Sequence, residues 1–128
     1  MIISAQSSGT QSTSSANWTA IPGLSLTLPR GAGDSALVII TLGAPYAQGD
    51  NFPGGNVGIQ VAGVVQSAYA SYTYNEKVPP STGRMPTTLS LTVPLSQTGD
   101  LQVVGVWQSI RGSKLIIDSP ATLTAVVA

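Results

Sequence analysis

The sequence predicts an all-β fold, with two sheets packed face to face as a sandwich or jelly roll, on three observations. Apolar and polar residues alternate in short runs such as Leu24–Leu28 and Thr87–Val93, the pattern of strands with one buried face. Glycine and proline, at 14 and 9 residues, punctuate the chain and separate these runs. No stretch repeats its apolar residues with the 3.6-residue period of an amphipathic helix. About nine or ten short strands joined by Gly/Pro turns bury their half-apolar faces most economically as two facing sheets. The length, 128 residues, predicts one domain over 1–128, large enough for one continuous core.

The elements follow in order. Residues 7–17 are nearly all Ser, Thr, Gln, Gly and Ala, and predict an edge strand or a mobile connection. Trp18–Ile21 is expected to run through a Pro22-Gly23 turn into the strand Leu24–Leu28. Ala36–Leu42 is almost continuously apolar, which predicts a strand buried on both faces or nearly so, at the centre of a sheet. Gly43–Gly55 reads as a loop with two aromatic residues; Phe52 is expected to pin it to the core, whereas Tyr46 suits either the core or a ligand. Asn56–Val61 and Val64–Tyr74 predict a hairpin turning at Ala62-Gly63. In its second strand Tyr72 and Tyr74 share one face and Thr73 takes the other. Thr87–Val93, a turn over Pro94–Asp100, Leu101–Ile110, Leu115–Ile117 and Ala121–Val127 complete the chain, with Arg111-Gly112-Ser113 splitting two of the strands. Trp18 and Trp107 are assigned to packing.

Composition excludes several functions. Charged residues make up 8% of the chain against roughly a quarter in an average soluble domain, while mean hydropathy is +0.26. A surface so poor in charge predicts burial in a homo-oligomer. Net charge is zero and the five cations are dispersed, so neither nucleic acid nor an anionic membrane surface is an expected partner. The chain lacks histidine and cysteine, which removes the usual general base, the thiolate nucleophile and the disulfide. Lys77 and Ser81 are separated by Pro79 and Pro80, which forbid the helical spacing that would pair them. Asp34, Asp50, Glu76, Asp100 and Asp118 are each isolated in sequence, unlike the paired carboxylates of a glycosidase. No enzyme, metal or cofactor is expected, since Asp50-Asn51 falls far short of the about six to eight oxygens that calcium takes. The longest near-apolar run, Ala36–Ala44, is strand-sized, so no direct membrane insertion is expected. Met1–Ala5 has no basic segment leading into an apolar core; the expected location is secreted or cell-surface by a route without a visible signal peptide, or cytoplasmic before release.

One stretch departs from scaffold composition. Lys77-Val78-Pro79-Pro80-Ser81-Thr82-Gly83-Arg84-Met85-Pro86 contains three prolines, which forbid helix and central strand alike and predict a rigid excursion between sheet elements. It presents Ser81, Thr82 and Arg84 around Gly83, a set of hydroxyls and a guanidinium suited to a polar ligand. The same composition serves an edge-blunting loop with a solvated arginine.

Four segments carry a resemblance. Pro45-Tyr46-Ala47-Gln48-Gly49-Asp50-Asn51-Phe52-Pro53-Gly54, Tyr72-Thr73-Tyr74, the Lys77–Pro86 loop and Trp107-Gln108-Ser109-Ile110-Arg111-Gly112-Ser113 resemble, in order and spacing, the TNF-like fucose-binding N-terminal domain of bacterial two-domain soluble lectins. The likeness spans Ile21–Val127, with a one-residue length difference near Ala62 and Gly63. It implies a TNF-like jelly-roll protomer, a homotrimer, and a sugar site in each cleft between neighbours. One neighbour would supply Tyr46, Ser81, Thr82 and Arg84, and the other Thr73, Tyr74 and Arg111. Asn56 is the departure, because the family has tyrosine there, beside the sugar. The implied function is a carbohydrate-binding lectin for fucosylated or related glycans, without catalysis, whose partners would be fucosides and possible host-cell glycoconjugates. The competing reading is a structural jelly-roll subunit of capsid or appendage type with no small ligand. On that reading Arg111 would pair only with Asp118, Tyr74 would belong to the trimer core, and Ser81 and Thr82 would cap the turn.

Overall fold

A computed structural model describes residues 1–95 and 99–128 as eleven antiparallel strands, with no helix among the described residues. They are β1 (Ile2–Gln6), β2 (Gln11–Thr13), β3 (Thr19–Leu28), β4 (Ser35–Leu42), β5 (Tyr46–Gln48), β6 (Gly54–Val61), β7 (Val64–Thr73), β8 (Thr87–Pro94), β9 (Leu101–Ile110), β10 (Lys114–Ile117) and β11 (Thr122–Val127). Two four-stranded sheets, ordered β1-β11-β4-β8 and β3-β9-β6-β7, form the sandwich, and a small third sheet, β2-β10-β5, joins them. The expected all-β sandwich is thus the observed fold.

The alternating runs supply its core. Ile21, Leu24, Leu26 and Leu28 of β3 face Val38, Ile40 and Leu42 of β4, with Val57, Ile59, Val103, Trp107 and Leu123 completing the buried cluster. Each such side chain contributes about 1.5–3 kcal/mol when removed from water. The two sheets approach at Gly105, where a side chain would collide with Ile40 and Leu24.

Several elements differ from expectation. Pro22-Gly23 is not a turn: β3 continues through it, with a register shift between Ala20 and Ser25 and Gly23 at φ +89°. A bulge, not a reversal, absorbs the pair, because Gly23 adopts the positive φ at no steric cost and lies against the backbone of Gln6. β4 is an inner strand of its sheet, but it is buried on one face only; Leu37 is 42% exposed, because no further layer covers that side. Met1–Ala5 leads into the unforeseen β1, paired with β11. Residues 7–17 hold the three-residue edge strand β2, and the Gly43–Gly55 loop contains the short strand β5. Ala62-Gly63 makes the expected hairpin turn, both residues at positive φ. Of the turn expected over Pro94–Asp100, residues 96–98 lie outside the described residues.

Candidate functional site

The loop after β7 runs from Tyr74 to Pro86 without regular structure and is stitched to the loop around β5. Phe52 N–H donates to the Lys77 carbonyl at 3.0 Å, Tyr74 N–H to Pro53 at 3.0 Å and Met85 N–H to Pro45 at 2.9 Å. The Tyr74 hydroxyl donates to the Gly83 carbonyl at 2.7 Å and accepts from Ala47 N–H at 3.4 Å. A connection this long, fixed at both ends and at its middle, holds its tip in one conformation.

That tip carries Arg84. Its guanidinium carbon lies 4.0 Å from the centroid of the Tyr46 ring, and Nη2 donates to Asp118 Oδ2 at 2.7 Å. The stacking and the ion pair fix the guanidinium plane, while Nε and Nη1 have no protein acceptor among the described residues. Tyr46 therefore spends a ring face on Arg84. Thr82 is half-buried and Ser81 exposed beside it. The loop's hydrogen bonds run through Gly83, Arg84 and Met85, and among the described residues both hydroxyls are left without partners.

Thr73 and Arg111 form a second group. Arg111 sits at φ +52° in the turn between β9 and β10, followed by Gly112 at φ +70°. Ser113 holds this turn, its hydroxyl donating to Ile110 O at 2.6 Å and accepting from Gly54 N–H at 3.0 Å. From there Arg111 Nη2 donates to Thr73 Oγ1 at 2.6 Å and to Phe52 O at 2.7 Å, and Nε to Phe52 O at 2.9 Å and Asn51 O at 3.1 Å. Nη1 has no acceptor among the described residues. Phe52 does not pin its loop to the core; it is 40% exposed at φ +47°, and Arg111 holds the loop through its carbonyl instead.

Tyr74 is packed against the core and shares the Tyr72 side of the chain, with Thr73 on the other, as the two-residue period predicts. Its hydroxyl reaches the Arg84 loop through Gly83, and its carbonyl accepts from Thr73 Oγ1 at 3.5 Å, the hydroxyl that Arg111 also holds. Asn56 lies on the outer face of β6, where its amide is held on both sides: Nδ2 donates to Gln108 Oε1 at 2.8 Å and Oδ1 accepts from Ser71 Oγ at 2.6 Å. Asp118 does not pair with Arg111; its partner is Arg84, a contact across 34 positions of sequence that no local signal marks. Burial holds the Tyr72 hydroxyl above its usual pKa of 10.0, with a smaller contribution from Tyr74.

The fold resembles other β-domains of low identity. The CBM36-1 domain of a multidomain xylanase from the hindgut metagenome of Trinervitermes trinervoides aligns with 100% of this chain and 98% of its own at 14% identity and a TM-score of 0.50. Latent PorU from Porphyromonas gingivalis aligns at 11% identity and a TM-score of 0.53 over 97% of this chain, which spans 12% of the PorU chain. These likenesses establish the β-sandwich class. No curated protein matches the sequence. The family described as Bc2l-C, N-terminal domain, matches residues 8–126, and the chain belongs to it, a lectin domain family.

Proposed function

We propose that the protein is a non-catalytic carbohydrate-binding lectin, one TNF-like domain over residues 1–128, that takes fucosylated glycans in clefts between the protomers of a homotrimer. The observation that carries this reading is the Arg84 guanidinium, fixed by Tyr46 and Asp118 yet with Nε and Nη1 left to donate. Beside it the Ser81 and Thr82 hydroxyls are available, and vicinal sugar hydroxyls take such a planar fork of donors with neighbouring hydroxyls well. Arg111 and Thr73 of the adjacent protomer would complete the cleft, with Nη1 as the free donor. Tyr74 serves by holding Gly83, and Asn56 lies beside the cleft.

Membership of a lectin domain family supports the sugar-binding class. The trimer is supported by the outer face of the β1-β11-β4-β8 sheet. Ile2 pairs with Val126 and Val126 with Leu37, a cross-strand row that is 71%, 38% and 42% exposed. No charged residue lies on these four strands, so a second copy meets no repulsion there. A glycan array with the intact protein tests the reading. Binding to terminal fucosides is expected; silence across fucosides, galactosides and mannosides at high protein concentration contradicts it and favours a structural subunit.

A further inference from the structure

Met85 stands between the two partners of the contact that fixes Arg84. It follows Arg84 directly, and its N–H donates at 2.9 Å to the carbonyl of Pro45, the residue before Tyr46. Arg84 and Tyr46 are therefore each one residue away from a single backbone hydrogen bond, and the register of that bond sets the guanidinium 4.0 Å over the ring. The Met85 carbonyl is held as well, accepting from Thr87 Oγ1 at 2.8 Å. Its side chain is half-buried and packs against the core, the apolar anchor of a stretch in which Gly83, Arg84 and Pro86 are all exposed.

The same side chain is open to chemistry that no other residue of the loop shares. The chain has no cysteine and two methionines, and Met1 lies at the exposed terminus, so Met85 carries the only sulfur inside the fold. A thioether packs as a flexible apolar group, whereas its sulfoxide is polar and needs a hydrogen-bond donor. Both hydroxyls tied to this stretch are engaged: Thr87 donates to Met85 O, and Tyr74 to Gly83 O at 2.7 Å. A sulfoxide oxygen held against the core would be left unpaired or would break one of these bonds, so the oxidised side chain turns out to water. The anchor beside the Met85–Pro45 bond is then withdrawn, and Arg84 loses its register over Tyr46.

We propose that Met85 is an oxidation-sensitive switch for the Arg84 loop, with peroxide as the oxidant. The sulfur lone pair attacks one peroxide oxygen, the O–O bond breaks, and the departing hydroxide takes the proton of the transferred oxygen, giving sulfoxide and water. Sulfur loses two electrons and peroxide gains them. Reduction by a methionine sulfoxide reductase with a thiol as electron donor returns the thioether. The effect of this switch on sugar affinity rests on the lectin reading; the loop rearrangement itself does not.

The test treats the intact protein with hydrogen peroxide until mass spectrometry finds an added oxygen on the peptide containing Met85, and follows two readouts. In NMR spectra the Arg84 Nε–H should lose the ring-current shift imposed by Tyr46. In calorimetry the affinity for methyl α-fucoside should fall by about tenfold or more, towards that of Arg84→Ala. Sulfoxide reductase should restore both. Met85→Leu, of similar volume, should bind within about threefold of wild type and be indifferent to peroxide, whereas Met85→Gln, polar at similar length, should resemble the oxidised protein without treatment. Met85 sulfoxide with the Arg84 shift and affinity of untreated protein, a Met85 that stays reduced in the folded chain at doses that oxidise Met1, or a Met85→Leu protein equally impaired by peroxide would each overturn the switch. Failure of untreated protein to bind the fucoside removes the lectin reading instead, and the Arg84 resonance then decides the switch alone.

Discussion

Arg84 lies 4.0 Å over the ring of Tyr46, and this contact turns a long, exposed side chain into a fixed donor. The face of an aromatic ring attracts a guanidinium and holds its plane, which a solvated arginine would not maintain. Substitution Arg84→Ala should therefore weaken fucoside binding by about tenfold to over a hundredfold, since ligand hydroxyls would be left desolvated and unpaired. Arg84→Lys should rescue poorly because an ammonium lacks the planar fork. Tyr46→Phe should bind nearly as wild type while Tyr46→Ala binds several-fold less tightly, a contrast that isothermal titration measures directly.

Asp118 is predicted to act on affinity more than on stability. Its pair with Arg84 is solvent-exposed, at 45% and 35% of the two side chains, and such pairs contribute at most about 1 kcal/mol to folding. Asp118→Ala should shift the denaturation midpoint little, yet loosen the guanidinium and lower fucoside affinity. Urea titration and calorimetry on one preparation separate the two effects.

Tyr72 predicts an alkaline limit to stability. Its hydroxyl is buried without a hydrogen-bond partner among the described residues, and its pKa in the folded chain is raised above the usual 10.0. The unfolded chain ionises this group first as pH rises, so stability is complete below about pH 10 and falls by about 1.4 kcal/mol per pH unit between that value and the raised pKa. Tyr72→Phe should flatten that slope and cost little at neutral pH, because it removes an unsatisfied polar atom. A wild-type slope retained in the Phe variant would contradict this account.

Leu37 is predicted to hold protomers together. Its exposure on an uncharged sheet face, in register with Val126, makes it a sensitive position for association. Light scattering of wild type should give about three times the 13.0 kDa chain mass, and Leu37→Glu should shift the protein towards monomer by placing a like charge on every copy. A wild-type monomer at micromolar concentration would remove the shared cleft.

The sequence made the strands legible where one face is buried, because alternation such as Leu24–Leu28 reports burial directly. It misplaced the Pro22-Gly23 bulge, since the pair is equally suited to a turn and only the pairing of β3 with β9 keeps the strand running. It overread Ala36–Leu42, because a continuous apolar run does not distinguish a second buried face from an exposed apolar one such as that of Leu37. The Lys77–Pro86 loop stood out by its prolines and hydroxyls. The Asp118 contact and the Trp18–Tyr69 pair did not, because they join residues brought together only by the fold.

The shared cleft is tested most directly by mixing. Arg84→Ala and Arg111→Ala chains, each defective alone, are unfolded, combined in equal amounts and refolded, and fucoside-binding sites are counted by calorimetry. If each cleft takes Arg84 from one protomer and Arg111 from its neighbour, random assembly of closed trimers restores roughly a quarter of the clefts to wild-type affinity. If both arginines serve one site within a single chain, mixed trimers regain none, and that result, with mixed trimers shown to form, would contradict the account.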